Sequence, residues 1–118
     1  MTVLRALALA LAVLALAACE GEKKAVEQDV SAARAIKARA DARQIAEAVE
    51  LYQASVGTLP PSLEALTTAQ TAGGVTSGPF LASVPAPPTG WTPYRYTKDD
   101  QGRFTISTSG GGVTVTAP

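Results

Sequence analysis

Four hydrophobic patterns follow one another along the chain. Residues 6–18 are an uninterrupted apolar run of alanine, leucine and one valine. Residues 22–56 contain neither glycine nor proline and are dominated by Ala, Glu, Lys, Arg and Gln, which predicts one long helix. Within it Val26, Val30 and Ala33 begin an apolar stripe, and Ile45, Val49, Tyr52 and Val56 continue it at spacings of four and three, with small alanines between. The carboxyl half therefore has the better face to bury. At about 1.5 Å per residue such a helix extends about 50 Å, more than the width of so small a domain, so its amino-terminal turns are expected to project as a stalk. Gly57 sits where a left-handed residue ends a helix, and Pro60 and Pro61 prevent its continuation.

The third pattern, residues 57–92, is a proline-rich crossing. Residues 62–68 predict a short second helix carrying Leu63 and Leu66 three apart, and the Gly/Thr/Ser-rich stretch 71–78 predicts a loop. Phe80, Leu81 and Val84 supply apolar anchors before Pro85, Pro87, Pro88 and Pro93 stiffen the path. In the fourth pattern, residues 93–118, the segments 94–97, 103–108 and 113–116 alternate at period two and are rich in aromatic and β-branched residues. Tyr94 and Tyr96, Phe104 and Ile106, Val113 and Val115 fall on one face, and Arg95, Thr105, Ser107 and Thr114 on the other. Turns at 98–102 and 109–112 join them into an antiparallel meander. A three-stranded ribbon is marginal alone, and the stripe Ile45, Val49, Tyr52 and Val56 is the available cover. The expected fold class is α+β, a long helix packed by its carboxyl half against a small three-stranded antiparallel sheet.

Composition narrows the chemistry. The 118 residues contain one cysteine and no histidine, which removes histidine-based triads, His/Cys zinc sites and any intrachain disulfide. Ten basic residues balance ten acidic ones, so no charge excess points to nucleic acid. The opposite-charge pairs Lys23 with Glu27, Lys37 with Asp41 and Arg43 with Glu47 are spaced for support on an exposed helix, about 0.2–0.5 kcal/mol each. A coiled-coil seam would be mostly alanine between Ala32 and Ala42, without sustained large a/d residues.

Arg5, the apolar run and Leu16-Ala17-Ala18-Cys19 read as an export signal over residues 1–18. The run is shorter than the roughly 20 residues a spanning helix needs. Small residues directly before Cys19 resemble the bacterial lipobox, which implies acylation of the Cys19 thiol and cleavage that makes it the first residue of a chain covering 19–118. An ordinary secretory signal would instead leave a free thiol, poor chemistry outside the cell. Two or three acyl chains hold firmly where one holds weakly, so the expected membrane partner is reached through lipid alone. Glu20, which is not the aspartate associated with inner-membrane retention, implies the outer membrane, facing the periplasm, if the source has two membranes.

The run Leu51-Tyr52-Gln53-Ala54-Ser55-Val56-Gly57-Thr58-Leu59-Pro60, the Leu-Glu-Ala-Leu at 63–66, Gly90-Trp91-Thr92-Pro93-Tyr94-Arg95-Tyr96 and Gly102-Arg103-Phe104-Thr105-Ile106-Ser107 together resemble the type IV pilin superfamily, and within it the major pseudopilin of type II secretion. The resemblance covers about residues 38–110 and implies structural roles for Gly57, Pro60, Trp91, Pro93, Tyr94, Tyr96 and Phe104. Large aromatics at such positions fill cores and loop-packing sites far more often than they bind ligands, so physics assigns Trp91 and Tyr94 the same role.

The chain departs from that family at two places. Pilins carry a prepilin leader and an apolar first half of the long helix with a glutamate near its start, whereas here Cys19 is followed by Glu20-Gly21-Glu22-Lys23-Lys24. Unpaired charges at a filament axis cost several kcal/mol each, at about the scale of any buried ion. Major pseudopilins often hold calcium in the loop after the central strands, but Ser109-Gly110-Gly111-Gly112 offers no acid, and Asp99-Asp100 sits in an earlier turn, so no metal or other cofactor is expected.

The reading that follows is a non-enzymatic, lipid-anchored pseudopilin-like protein. Its expected protein partners belong to a secretion or pilus machine and meet it at the polar stalk and at residues 67–78; no small-molecule substrate is expected. The alternatives are a minor filament-associated subunit and, third, an enzyme obliged to use Glu47, Glu50, Glu64 or the Asp99-Asp100 pair as carboxylate catalysts.

Overall fold

The computed structural model describes the backbone from Thr2 to Pro118 and the side chains from Asp29 onward. The chain forms helix α1 (Thr2–Val56), a five-residue 3₁₀ helix (Leu63–Thr67), a hairpin of β1 (Gln70–Ala72) and β2 (Val75–Ser77), and a meander of β3 (Arg95–Lys98), β4 (Phe104–Gly110) and β5 (Val113–Ala117). Two compact units divide it, Met1–Ala33 and Arg34–Pro118. The helix expected over residues 22–56 ends as expected at Val56 but begins at Thr2. The Lys23 and Glu27 pair and the Val26 end of the stripe lie outside the residues whose side chains are described.

The second unit contains the core. Ala38, Ala42, Ile45, Val49 and Tyr52 of α1 are buried against Leu63, Leu66, Leu81, Tyr94, Ile106, Val115 and Ala117. The helix packs on the sheet as its apolar stripe requires: Ile45, Val49 and Ile106 are fully enclosed, while Val56 at the stripe's end is half-buried. Alanines at 38 and 42 lengthen the contact, because a methyl group lets the helix approach closely where a large side chain would hold it off. Gly57 ends α1 with φ +93°, and its N–H donates to the Gln53 carbonyl at 2.9 Å. That is the left-handed cap which closes the last turn without the strain a Cβ would bring.

The segment 62–68 closes as a 3₁₀ helix, with Leu63 and Leu66 buried. Five residues behind two prolines are too few to nucleate an α-helix. The Leu66 carbonyl then accepts from the N–H groups of Phe80 at 2.8 Å and Leu81 at 3.0 Å, which brings the crossing back to the core. There Phe80 meets Tyr52 edge to face, ring centroids 5.4 Å apart.

Residues 71–78, expected as a loop, are largely a hairpin. Gln70 pairs with Ser77, Thr71 with Thr76 and Ala72 with Val75. Gly73 and Gly74 both have positive φ, +59° and +79°, as the two-residue turn between twisted strands demands. The Thr71 and Thr76 hydroxyls lie 3.0 Å apart across the pair. Short polar strands carry no apolar alternation, so only the Gly-Gly turn marked them.

The meander has the order β3-β4-β5, antiparallel throughout. Tyr94, Ile106 and Val115 point inward as their alternation predicts, with Tyr96 and Phe104 half-buried, but Val113 at the start of β5 is exposed and Ala117 at its far end is buried. The second turn is shorter than the expected 109–112, since β4 extends to Gly110 and Gly111-Gly112 make the turn alone.

Candidate functional site

Of the residues singled out by sequence, Pro60, Trp91, Tyr94, Tyr96 and Phe104 are buried or half-buried at the seam between α1, the proline-rich crossing and the sheet, while Gly57 and Pro93 are exposed. Pro60 is fully buried, and its carbonyl accepts the Tyr96 hydroxyl at 2.9 Å. The ring of Tyr96 tilts against Phe104, centroids 6.3 Å apart. Burial, and secondarily the neighbouring Tyr52, raise the Tyr96 phenol above its ordinary pKa. The bond to Pro60 therefore joins the exit of the helix to β3 with the phenol held neutral.

Tyr94 makes the corresponding link farther up the helix. Its hydroxyl donates to Asp41 Oδ2 at 2.8 Å, and the same oxygen pairs with Lys37. Lys37 Nζ also donates to the Ala86 carbonyl at 2.8 Å. Four residues from three parts of the chain thus share one polar cluster, in which Asp41 orients both donors. Burial, then the hydrogen bond to Asp41 and its negative charge, push the Tyr94 phenol well above its usual pKa. The Lys37 and Asp41 pair forms as predicted, whereas Arg43 and Glu47 form no ion pair.

Trp91 is half-buried, with its indole against Gly110, and its backbone N–H donates to the Pro88 carbonyl at 3.0 Å. Pro93 is exposed and leads the chain from Thr92 into Tyr94. Thr92 itself, which sequence reading passed over, is the residue most densely bonded to β4. Its N–H donates to the Ser109 carbonyl at 2.9 Å, its carbonyl accepts Thr108 Oγ1 at 2.7 Å, and its hydroxyl accepts the Ser109 N–H at 3.1 Å. Thr108 is the one buried polar side chain among the described residues, and this bond satisfies it. A threonine on the inward register of a strand was the available signal.

The carboxylates considered for catalysis do not assemble. Glu47, Glu50, Glu64, Asp99 and Asp100 are all exposed, and no three acidic or thiol side chains gather into a cation-sized cluster among the described residues. The Asp99 carboxylate is taken up by its own turn. It accepts the N–H groups of Gln101 and Arg103 at 2.8 and 2.9 Å and pairs with Arg103 Nε at 2.8 Å. Those bonds, the Arg103 N–H first, hold it below the ordinary carboxylate pKa. Cys19 lies outside the residues whose side chains are described.

A family model described as type II secretion system (T2SS), protein G, matches residues 25–114. The chain belongs to that family. The match takes in every aromatic anchor described above and begins after Cys19, inside α1. No curated protein and no solved structure matches the chain. The T2SS protein G family is structural, and its members are pseudopilins of the cell envelope with protein partners in a secretion machine. The seam through Pro60, Tyr94, Tyr96 and Trp91 lies within the residues matched by the family. Among the described residues of this pseudopilin-like chain, no helix is long and apolar enough to cross a membrane.

Proposed function

We propose that this pseudopilin-like protein is held in the bacterial envelope by acyl chains on Cys19 and acts, without catalysis, as a structural and interaction subunit of a type II secretion or type IV pilus system. The observation that carries the reading is the Leu16-Ala17-Ala18-Cys19 motif standing just ahead of the matched region, with Glu20-Gly21-Glu22-Lys23-Lys24 in place of an apolar leading segment. Lipid supplies the membrane attachment, about 0.8 kcal/mol per buried CH₂, that an apolar helix would otherwise supply. In a source with two membranes the anchor lies in the outer one, facing the periplasm. The hairpin β1–β2, with Val75 exposed at its turn, is a contact surface within the 67–78 region. Neither calcium nor another cofactor takes part.

Replacing Cys19 by serine while leaving the head intact tests the reading. The protein is expected to leave the membrane fraction, and intact mass is expected to show acylation of the wild-type chain alone. Unchanged fractionation, or an unmodified thiol on the exported chain, defeats it.

A second reading, a minor filament-associated subunit, is favoured by Ile36 and Leu51. These large apolar residues on α1 are 64% and 57% exposed and are the side chains with which the helix would meet a neighbouring subunit. Cross-linking from these positions into purified filaments distinguishes the two readings.

A further inference from the structure

Strand β5 is an edge: it pairs with β4 and with no other strand. The sequence spacing of Arg39 and Arg43, four apart, puts both on one side of α1. In the structure they line a groove of about 370 Å³ together with Thr114, Thr116 and the end of β5. Both are exposed, and neither forms an ion pair with another of the described residues. Lys37, the base one turn before, is by contrast already engaged with Asp41 and Ala86.

On the solvent-facing side of the sheet, Arg95 stands on β3, separated from β5 by β4. A larger groove of about 590 Å³ on the wet face holds Arg95, Ser107 and Ser109 and shares Thr114 with the first. Arg95 stands in one row across the sheet with Ser107 and Thr116, and it too forms no ion pair among the described residues. Among the described residues, no acidic side chain lines either groove. The edge strand thus has Arg39 and Arg43 beside it, with Thr114 and Thr116 in the same groove.

Two requirements coincide on β5. An open edge presents a row of backbone donors and acceptors that another extended backbone can complete. Unpaired guanidinium groups call for carboxylates, which they bind with paired, charge-assisted hydrogen bonds. A phosphate or lipid headgroup would meet the second requirement and leave the first. A second copy of β5 would meet the first but would bring its own Arg39 and Arg43 against these, a like-charge juxtaposition that disfavours pairing. An extended acidic polypeptide meets both.

We propose that the free edge of β5, beside Arg39 and Arg43, takes an extended acidic segment of a partner protein as an added strand. The proposal is independent of the lipid anchor, because it concerns only the unit Arg34–Pro118.

The probe is a fluorescein-labelled peptide of alternating glutamate and valine, titrated by anisotropy against the full chain in neutral detergent. Two control peptides carry lysine in place of glutamate, or proline in place of alternate valines at unchanged charge. The acidic peptide is expected to bind and the lysine peptide not to bind. The proline peptide, unable to complete the ladder, is expected to bind about tenfold more weakly. In the R39Q/R43Q double variant the affinity for the acidic peptide is expected to fall about tenfold, with the far-ultraviolet circular dichroism unchanged. Hydrogen exchange of the wild-type protein supplies a readout that needs no variant: the outward amides of residues 113–117 are expected to slow when the acidic peptide binds. Equal binding of the proline peptide, unaltered affinity in the double variant, or unprotected β5 amides each overturn the proposal. So does complete displacement of the peptide by inorganic phosphate or by vesicles of anionic lipid without change at β5, which would mark a simple anion site.

Discussion

The indole of Trp91 occupies the space into which a side chain at Gly110 would have to grow. A Cβ built on Gly110 overlaps the indole, and its nearest atoms all belong to that ring. The proline-rich crossing is thereby pressed flat on the end of β4, where Thr92 completes the attachment through the Ser109 backbone. Gly110 has no positive φ, so the requirement for glycine here is one of contact and not of backbone conformation.

G110A is expected to lower stability by about 1–3 kcal/mol, the usual cost of forcing an extra methyl into a packed contact. Urea denaturation measures it, and the tryptophan emission, sensitive to the half-buried indole, should shift toward that of exposed tryptophan. An unchanged midpoint and spectrum would mean that the indole has room to move aside.

Y94F removes the donor to Asp41 while keeping the buried ring. The bond engages a charged acceptor, so a loss of about 1.5–3 kcal/mol is expected. The raised pKa of Tyr94 fixes the sign of the pH dependence. Its contribution is fully present below the ordinary tyrosine value of 10.0 and is lost as pH rises from there through the higher folded value. Melting temperatures measured from pH 9 upward should fall more steeply for the wild type than for Y94F.

Asp99 titrates in the opposite sense. Its folded pKa is below the ordinary value of 3.8, so its support for the β3–β4 turn is present above that value and lost as pH falls through the folded one. D99A should remove the same support at neutral pH. Faster amide exchange at Gln101 and Arg103, with the amides of β5 unaffected, is the expected result.

Two isoleucines on α1 provide an internal comparison. Ile45 is wholly buried and Ile36 is 64% exposed. I45A is expected to cost about 2–5 kcal/mol through lost burial and the cavity left behind. I36A should fall within about 0.5 kcal/mol of wild type. Equal effects in thermal denaturation would remove the assignment of Ile45 to the core.

Periodicity and the absence of Gly and Pro specified residues 22–56 as helix, the side of it formed by Ile45, Val49 and Tyr52, and a meander whose inward row contains Tyr94, Ile106 and Val115. These features are local: burial at period 3.6 or period 2 leaves its mark along a single stretch of chain. Gly57 and the Gly-rich turns were legible for the same reason, since a left-handed residue restricts its own side chain. The hairpin of β1 and β2 escaped because its strands are polar and three residues long. The partners of the aromatic anchors were beyond reach as well: Tyr94 with Asp41 and Tyr96 with Pro60 are 53 and 36 residues apart. Thr92, Thr108 and the placement of Arg39 and Arg43 beside β5 likewise depend on which distant segments the packed helix and sheet bring together. A hydrogen bond or charge contact of that kind acts over a few ångströms of space and leaves no spacing in the sequence, so tertiary structure alone decided it.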